Sequence, residues 1–277
     1  MISLPGMKRA ETAVSQRSSA TIGVIGSKGG VGATTFAINL AASMTQECID
    51  ESNGVLLVDA KFQQPDVALF LACQAKHTVV ELLQRSINLE EQTISACCLS
   101  APGCNKLRVL TAPPDGRASA GYNLTQLSAC LPALQNQFQT VVLDLPITLD
   151  RHLVSITDLC DLIVLIVEPD LASIAASTRW YSLFDELGYP RERILLVGNR
   201  TGGKSKMMDE QLQKTFGQLL AGKIPNAYAL AESSAISGAP LVVAYPRDSY
   251  AKAMKGVCQS IEKTLALQAT KNEVRHE

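Results

Sequence analysis

Six strand-sized runs lie at 21–26 (TIGVIG), 55–60 (VLLVDA), 106–112 (KLRVLTA), 140–146 (TVVLDLP), 161–169 (DLIVLIVEP) and 193–200 (RILLVGNR). Most are apolar nearly throughout, so each strand must be covered on both faces, and helix-like stretches separate them. That combination is met by parallel βαβ units. Helices are expected at 34–47, 78–85, 123–137, 149–158, 170–187, 208–219 and 249–268. The expected fold class is α/β, a doubly wound, mainly parallel sheet with helices on both faces. A chain of 277 residues with 47% hydrophobic content can bury a core of that kind. Turn residues in PPDGR (113–117) and RTGGKSK (200–206) mark surface loops. No repeat, low-complexity tract or linker interrupts the sequence. One domain over 21–268 is expected, between an N-terminal tail at 1–20 and a polar C-terminal tail at 269–277.

The charge balance excludes one class of function. With 25 basic and 26 acidic residues the net charge is −1, which argues against strong nucleic-acid binding. A local basic cluster (Arg191, Arg193, Arg200, Lys204, Lys206, Lys214) is interrupted by Glu192, Asp209 and Glu210 and reads as a solvated face. The N-terminus lacks the apolar core of a signal peptide, and no apolar run approaches a membrane span. Tyr250, Met254, Val257, Ile261 and Leu265 form one stripe on the last helix, expected to pack on the domain rather than on a membrane. A cytoplasmic protein is expected, with no stable membrane insertion and with its eight cysteines mostly free thiols. Cys97, Cys98 and Cys104 cluster without the C-x-x-C spacing of zinc sites.

The stretch TIGVIGSKGGVGATTFAINLAASM (21–44) places a glycine-rich loop between a strand and a helix, the context of a phosphate-binding loop. Gly29, Gly30 and Gly32 let backbone N–H groups converge on an anion, and the helix beginning near Thr34 adds unpaired N–H groups and a positive dipole end. Thr34 and Thr35 can offer hydroxyls to Mg²⁺ and to phosphate. Asp59 and Asp144 each close a strand, and in a parallel sheet the carboxyl ends of neighbouring strands converge on the ligand crevice. Thr34, Asp59 and Asp144 are thus the expected metal residues. Asp170 is placed to cap the helix after VEPD, and Trp180 and Tyr181 on that helix read as half-buried packing residues.

These residues carry a family resemblance. SKGGVGATT (27–35) resembles the deviant Walker A motif of the ParA/MinD superfamily, TVVLDLP its Walker B, and VGNR the strand end whose asparagine reads adenine. With KIPNAYALAESSAISGAPLVVAYPRDSYAKAM (223–254) the likeness extends from about residue 21 to 268. It implies bound ATP or ADP with Mg²⁺, held by Ser27, Lys28, Gly29, Gly30, Val31, Gly32, Ala33, Thr34 and Thr35, with Asn199, Arg200 and Pro225 beside the adenine. It further implies a homodimer in which Lys28 reaches the partner's phosphates, with Lys28 and Asp144 in the catalytic roles. Within the superfamily, LLVDAKFQQPDVALFL, TVVELL, VEPDLASI and PLVVAYPRDSYAKAM look most like the CpaE/TadZ branch of Tad (Flp) pilus assembly proteins. More loosely they resemble flagellar-number ATPases of the FleN/FlhG type. Proteins of the CpaE/TadZ branch usually carry a receiver-like domain before the loop, where about twenty residues stand here.

Two departures bear on chemistry. Ala33 replaces the second loop lysine, and Lys61 stands where family ATPases place a water-orienting aspartate. A charge-assisted phosphate contact contributes about 1.5–3 kcal/mol, so losing one weakens binding on the order of 10–100-fold. Losing the water-orienting carboxylate as well removes transition-state help. The expected function is an ATP-binding, nucleotide-dependent dimerising scaffold that localises or assembles a pilus or secretion apparatus, with weak or no hydrolysis. Its place is cytoplasmic, polar or peripheral to the membrane through partners. The alternative is an active ATPase cycling on a surface, as in flagellar-number regulation or partitioning.

Overall fold

The computed structural model describes residues 19–46, 54–85, 89–202, 206–216 and 220–276. Most of the expected N-terminal tail (1–18) lies outside them. Among these residues the strands are β1 (Ala20–Gly26), β2 (Val55–Asp59), β3 (Leu99–Ala101), β4 (Cys104–Leu110), β5 (Thr140–Asp144), β6 (Leu162–Val167), β7 (Ile194–Thr201) and β8 (Leu220–Pro225). They form one sheet in the order β3-β4-β2-β5-β1-β6-β7-β8. Every neighbouring pair is parallel except β3–β4. The α/β fold expected from the apolar runs is the fold observed.

The reason lies in how successive side chains are shared out. In β6, Leu162, Val164 and Ile166 join the apolar cluster on one face, whereas Ile163, Leu165 and Val167 join the cluster on the other. Both faces exclude water, so a continuous apolar run is what this strand requires. One face is covered by α1 (Ala33–Met44), α10 (Leu241–Ala244) and α11 (Ser249–His276). The other is covered by α3 (Val79–Gln84), α4 (Glu91–Cys97), α5 (Leu124–Gln137), α6 (Arg151–Thr157) and α7 (Leu171–Glu186). Among the described residues the remaining helices are α2 (Val67–Phe70), α8 (Lys206–Phe216) and α9 (Tyr228–Ser237), with a 3₁₀ turn at Arg191–Arg193.

Side-chain caps fix several helix starts. Thr78 and Glu81 form a capping box at α3, Asn123 and Gln126 another at α5, and Asp150 caps α6. Asp170 accepts from the Ser173 N–H at 2.9 Å and caps α7, as its position suggests. On α11, Tyr250, Met254, Val257 and Ile261 are buried and Leu265 is half-buried, so the stripe packs on the domain. Its backbone stays helical to His276, and residues 257–276 contain neither glycine nor proline to stop it. The seven described cysteines are free thiols. Among the described residues no helix is long and apolar enough to cross a membrane. The basic cluster is partly spent internally: Arg193 lies 4.9 Å over the Tyr189 ring and donates to the Thr157 carbonyl at 3.0 Å, and Arg200 pairs with Glu168.

Candidate functional site

The central strand β1 delivers the chain to the loop, and two glycines turn it into α1. Gly30 and Gly32 take φ values of 80° and 84°, in the left-handed region that a Cβ disfavours. Gly32 is also the N-cap of α1 and contributes no side-chain cap, and no acidic residue occupies the first turn. The first N–H groups of a long buried helix therefore face the crevice at the carboxyl ends of β1 and its neighbours. Gly29 and Gly30 are exposed, and a Cβ built on either would meet nothing within 4 Å.

The loop is anchored at both ends. Ser27 N–H donates to the Ile166 carbonyl at 2.9 Å, and its hydroxyl lies 2.7 Å from that of Ser173 on α7. Trp180 Nε1 donates to the Ser27 carbonyl at 3.3 Å, while its ring stacks on Phe184. At the far end, Asn199 Nδ2 donates to the Val31 carbonyl at 2.8 Å from the end of β7. Val31 itself is 1% exposed and, with Ala33, belongs to the core beneath α1. Ser27 and Asn199, expected as nucleotide contacts, thus hold the loop's shape here. The tie from Trp180 is a site feature that sequence reasoning took for ordinary packing.

Lys28 sits at the mouth of the loop. Its Nζ is 3.4 Å from Glu168 and 3.5 Å from Asp170, both following β6, and Arg200 pairs with the other Glu168 oxygen. Arg200 adopts φ 54°, and Pro225 closes β8 opposite Thr201, so Asn199, Arg200 and Pro225 share one rim. The lysine side chain is 36% exposed, and pairs of that kind contribute about 0–1 kcal/mol, so Lys28 is readily released.

The second half of the site is buried. Asp59 and Asp144 are directly opposed in the β2–β5 register, and both are fully buried. Thr34, one residue into α1, donates to Asp144 Oδ2 at 2.7 Å. Thr35 beside it is half-buried. Lys61 then enters the cluster: its Nζ donates to Thr34 Oγ1 at 2.6 Å and stands 2.8 Å from Asp144 Oδ1. Asp59 accepts the backbone N–H groups of Lys61 and Val67, each at 3.1 Å. Burial, then the charge of Asp144, pushes the Asp59 carboxyl up to about 7. Burial also raises Asp144, and the adjacent Lys61 ammonium and Thr34 hydroxyl oppose that rise without cancelling it.

The expected magnesium residues Thr34, Asp59 and Asp144 are therefore brought together, but as they stand they do not fit Mg²⁺. The ammonium of Lys61 holds the space between Thr34 and Asp144, and Asp59 is spent on backbone N–H groups. Among the described residues no group of three or more His, Cys, Asp or Glu side chains is arranged to hold a metal ion. In the sequence Lys61 reads as the absence of a carboxylate; its long side chain and its place two residues past the end of β2 are the signals that it reaches inward.

Comparison with known proteins bears on the family and the fold. A family model described as an AAA domain matches residues 19–187. An uncharacterized ATP-binding protein of Methanocaldococcus jannaschii is 20% identical over 242 residues, covering 87% of this chain and 86% of that protein. Among solved structures, a ParA family ATPase from Chlorobium tepidum superposes with a TM-score of 0.78 at 19% identity, over 87% of this chain and 99% of that one. The septum site-determining protein MinD from Pyrococcus horikoshii, complexed with Mg-ADP, gives 0.74 at 18% identity, over 88% and 96%. The chain belongs to this AAA domain family, and its fold is that of the ParA and MinD ATPases.

Proposed function

We propose that the protein binds ATP or ADP in the Gly29–Thr35 loop and acts as a nucleotide-dependent dimerising scaffold with slow or no hydrolysis. The observation that carries the binding half is the uncapped start of α1 behind two left-handed glycines, held open from both ends. The Mg-ADP in the MinD structure of P. horikoshii supports the nucleotide class. The observation that carries the weak hydrolysis is Lys61, whose charged head is committed to Thr34 and Asp144 and cannot accept a proton from water.

The dimer reading draws on the surface around Lys28. Leu171 directly follows Asp170, a partner of Lys28, and Leu149 lines one cavity with Ser27; the two are 73% and 47% exposed, apolar surface that a second copy can cover. The apparatus served is a pilus or secretion assembly of the CpaE/TadZ kind, supported by the sequence phrases shared with that branch. In that role the protein is cytoplasmic and reaches a polar or membrane-peripheral position through its partners. Pilus secretion genes beside its own gene support this; flagellar or partition genes there reject it.

Light scattering tests the dimer. ATP is expected to double the mass relative to ADP, and Lys28→Ala to leave the fold intact while abolishing that shift. Equal masses with and without ATP, unaltered by Lys28→Ala, reject it.

A cycling ATPase is the competing reading, favoured by half-buried Asp66, whose charge already bears on Asp144. Steady-state phosphate release separates the two. The wild type is expected to turn over slowly or not detectably, and Ala33→Lys to show a limited gain. Ala33→Lys with Lys61→Asp should exceed the product of the single effects, since residues acting as a unit are non-additive. Wild-type turnover equal to that of ordinary relatives, unmoved by Lys61→Asp, leaves the ATPase reading.

A further inference from the structure

We propose that the Lys61 ammonium is the resident cation of this site, standing in place of a divalent ion, so that nucleotide is held without Mg²⁺. The inference rests on the nucleotide-loop reading above. It is carried by three features of the buried cluster.

Position is the first. Nζ lies 2.6 Å from Thr34 Oγ1 and 2.8 Å from Asp144 Oδ1, a loop hydroxyl and a strand-end carboxylate of the type a phosphate loop offers Mg²⁺. An ion bonded to both oxygens at about 2.0–2.1 Å would share the space that Nζ holds. With its side chain 17% exposed, Lys61 is enclosed rather than waving in solvent.

The second is how the lone pairs are used. Thr34 gives its proton to Asp144 Oδ2 and accepts one from Lys61, so hydroxyl, carboxylate and ammonium close a ring. Asp59 completes the arrangement from behind by accepting the backbone N–H of Lys61 itself, which fixes where the side chain starts. The two carboxylates that could bind an ion are thus engaged in placing a lysine.

The third is what remains available. An ammonium has three donors; among the described residues one is hydrogen-bonded to Thr34, and the head is ion-paired with Asp144 Oδ1. A remaining N–H can donate to a phosphate oxygen at the helix start. One fixed charge then supplies the contact that a metal would otherwise bridge, and it does so with a compact point charge of the kind used in phosphate loops.

Two measurements test this, one of them independent of nucleotide. Mn²⁺ uptake is followed by the loss of its free-ion electron spin resonance signal, with and without ADP, for the wild type, Lys61→Ala and Lys61→Met. The wild type is expected to take up at least tenfold less than either variant at equal free Mn²⁺, and Asp144→Asn in the Lys61→Ala background should abolish the gain. Equal uptake by wild type and variants in both conditions, whether high or absent, overturns the proposal. In parallel, the ADP dissociation constant is compared in Mg²⁺ and in EDTA. It should change less than about threefold for the wild type and tenfold or more for Lys61→Ala. A tenfold Mg²⁺ dependence in the wild type also overturns it. Absence of ADP binding to every protein rejects the nucleotide reading instead, and the Mn²⁺ comparison without ADP still decides the place of Lys61.

Discussion

Lys61→Met is expected to lower the unfolding free energy by about 3–5 kcal/mol, read as a shift in the urea midpoint at unchanged slope. The substitution keeps most of the apolar stem and removes the charge. Asp144, with no exposed surface, then faces Asp59 across the β2–β5 register with no cation between them and solvent. Breaking a buried pair from one side is costly because the remaining charge is neither solvated nor paired. Asp144→Asn in the same chain should recover most of the loss, because the amide is neutral and still accepts from Thr34. A loss below about 1 kcal/mol would place the ammonium in the range of solvated surface pairs and sink the account.

Gly32→Val is expected to weaken nucleotide binding at least 100-fold in calorimetry, about 2.7 kcal/mol. Two separate effects act at this residue. A φ of 84° puts a β-branched side chain in a region costing about 1–3 kcal/mol. A Cβ there would also lie 2.6 Å from Asn199 Nδ2, so the tie from Asn199 to the Val31 carbonyl must give way. Gly32→Ala should fall between, and Asn199→Ala should relieve the clash without relieving the backbone. Unchanged affinity in Gly32→Val would mean that phosphate is bound elsewhere.

The sheet was legible because its central strands are buried on both faces, so each apolar run could be counted without knowing its partners. The edges were less so. β3 has three residues and carries no period, although the Pro-Gly of APGC was a turn signal: Gly103, at φ 71°, closes the β3–β4 hairpin. β8 reads LAGKIP and has little of the β-branched character expected of a strand. Helices α2 and α10, four residues each, are too short to show periodicity. At the site, the glycine loop and the strand-end aspartates were visible because their spacing is local. The ties from Asn199 and Trp180 to the loop backbone span 168 and 153 residues, a distance at which pattern says nothing. Lys61 was visible as a substitution and invisible as a contact, since a sequence reports which group is missing more readily than where its replacement points.

Trp180 gives the tie at the start of the loop a further meaning. It is the sole tryptophan of the chain, and its indole N–H is bonded to the backbone of Ser27, directly before Lys28. All indole emission from this protein therefore originates at one point on the loop's inner edge, 9% exposed and stacked on Phe184. The molecule carries its own unlabelled optical gauge: a rearrangement that pulls the loop from α7 must break this bond and change the surroundings of a single fluorophore.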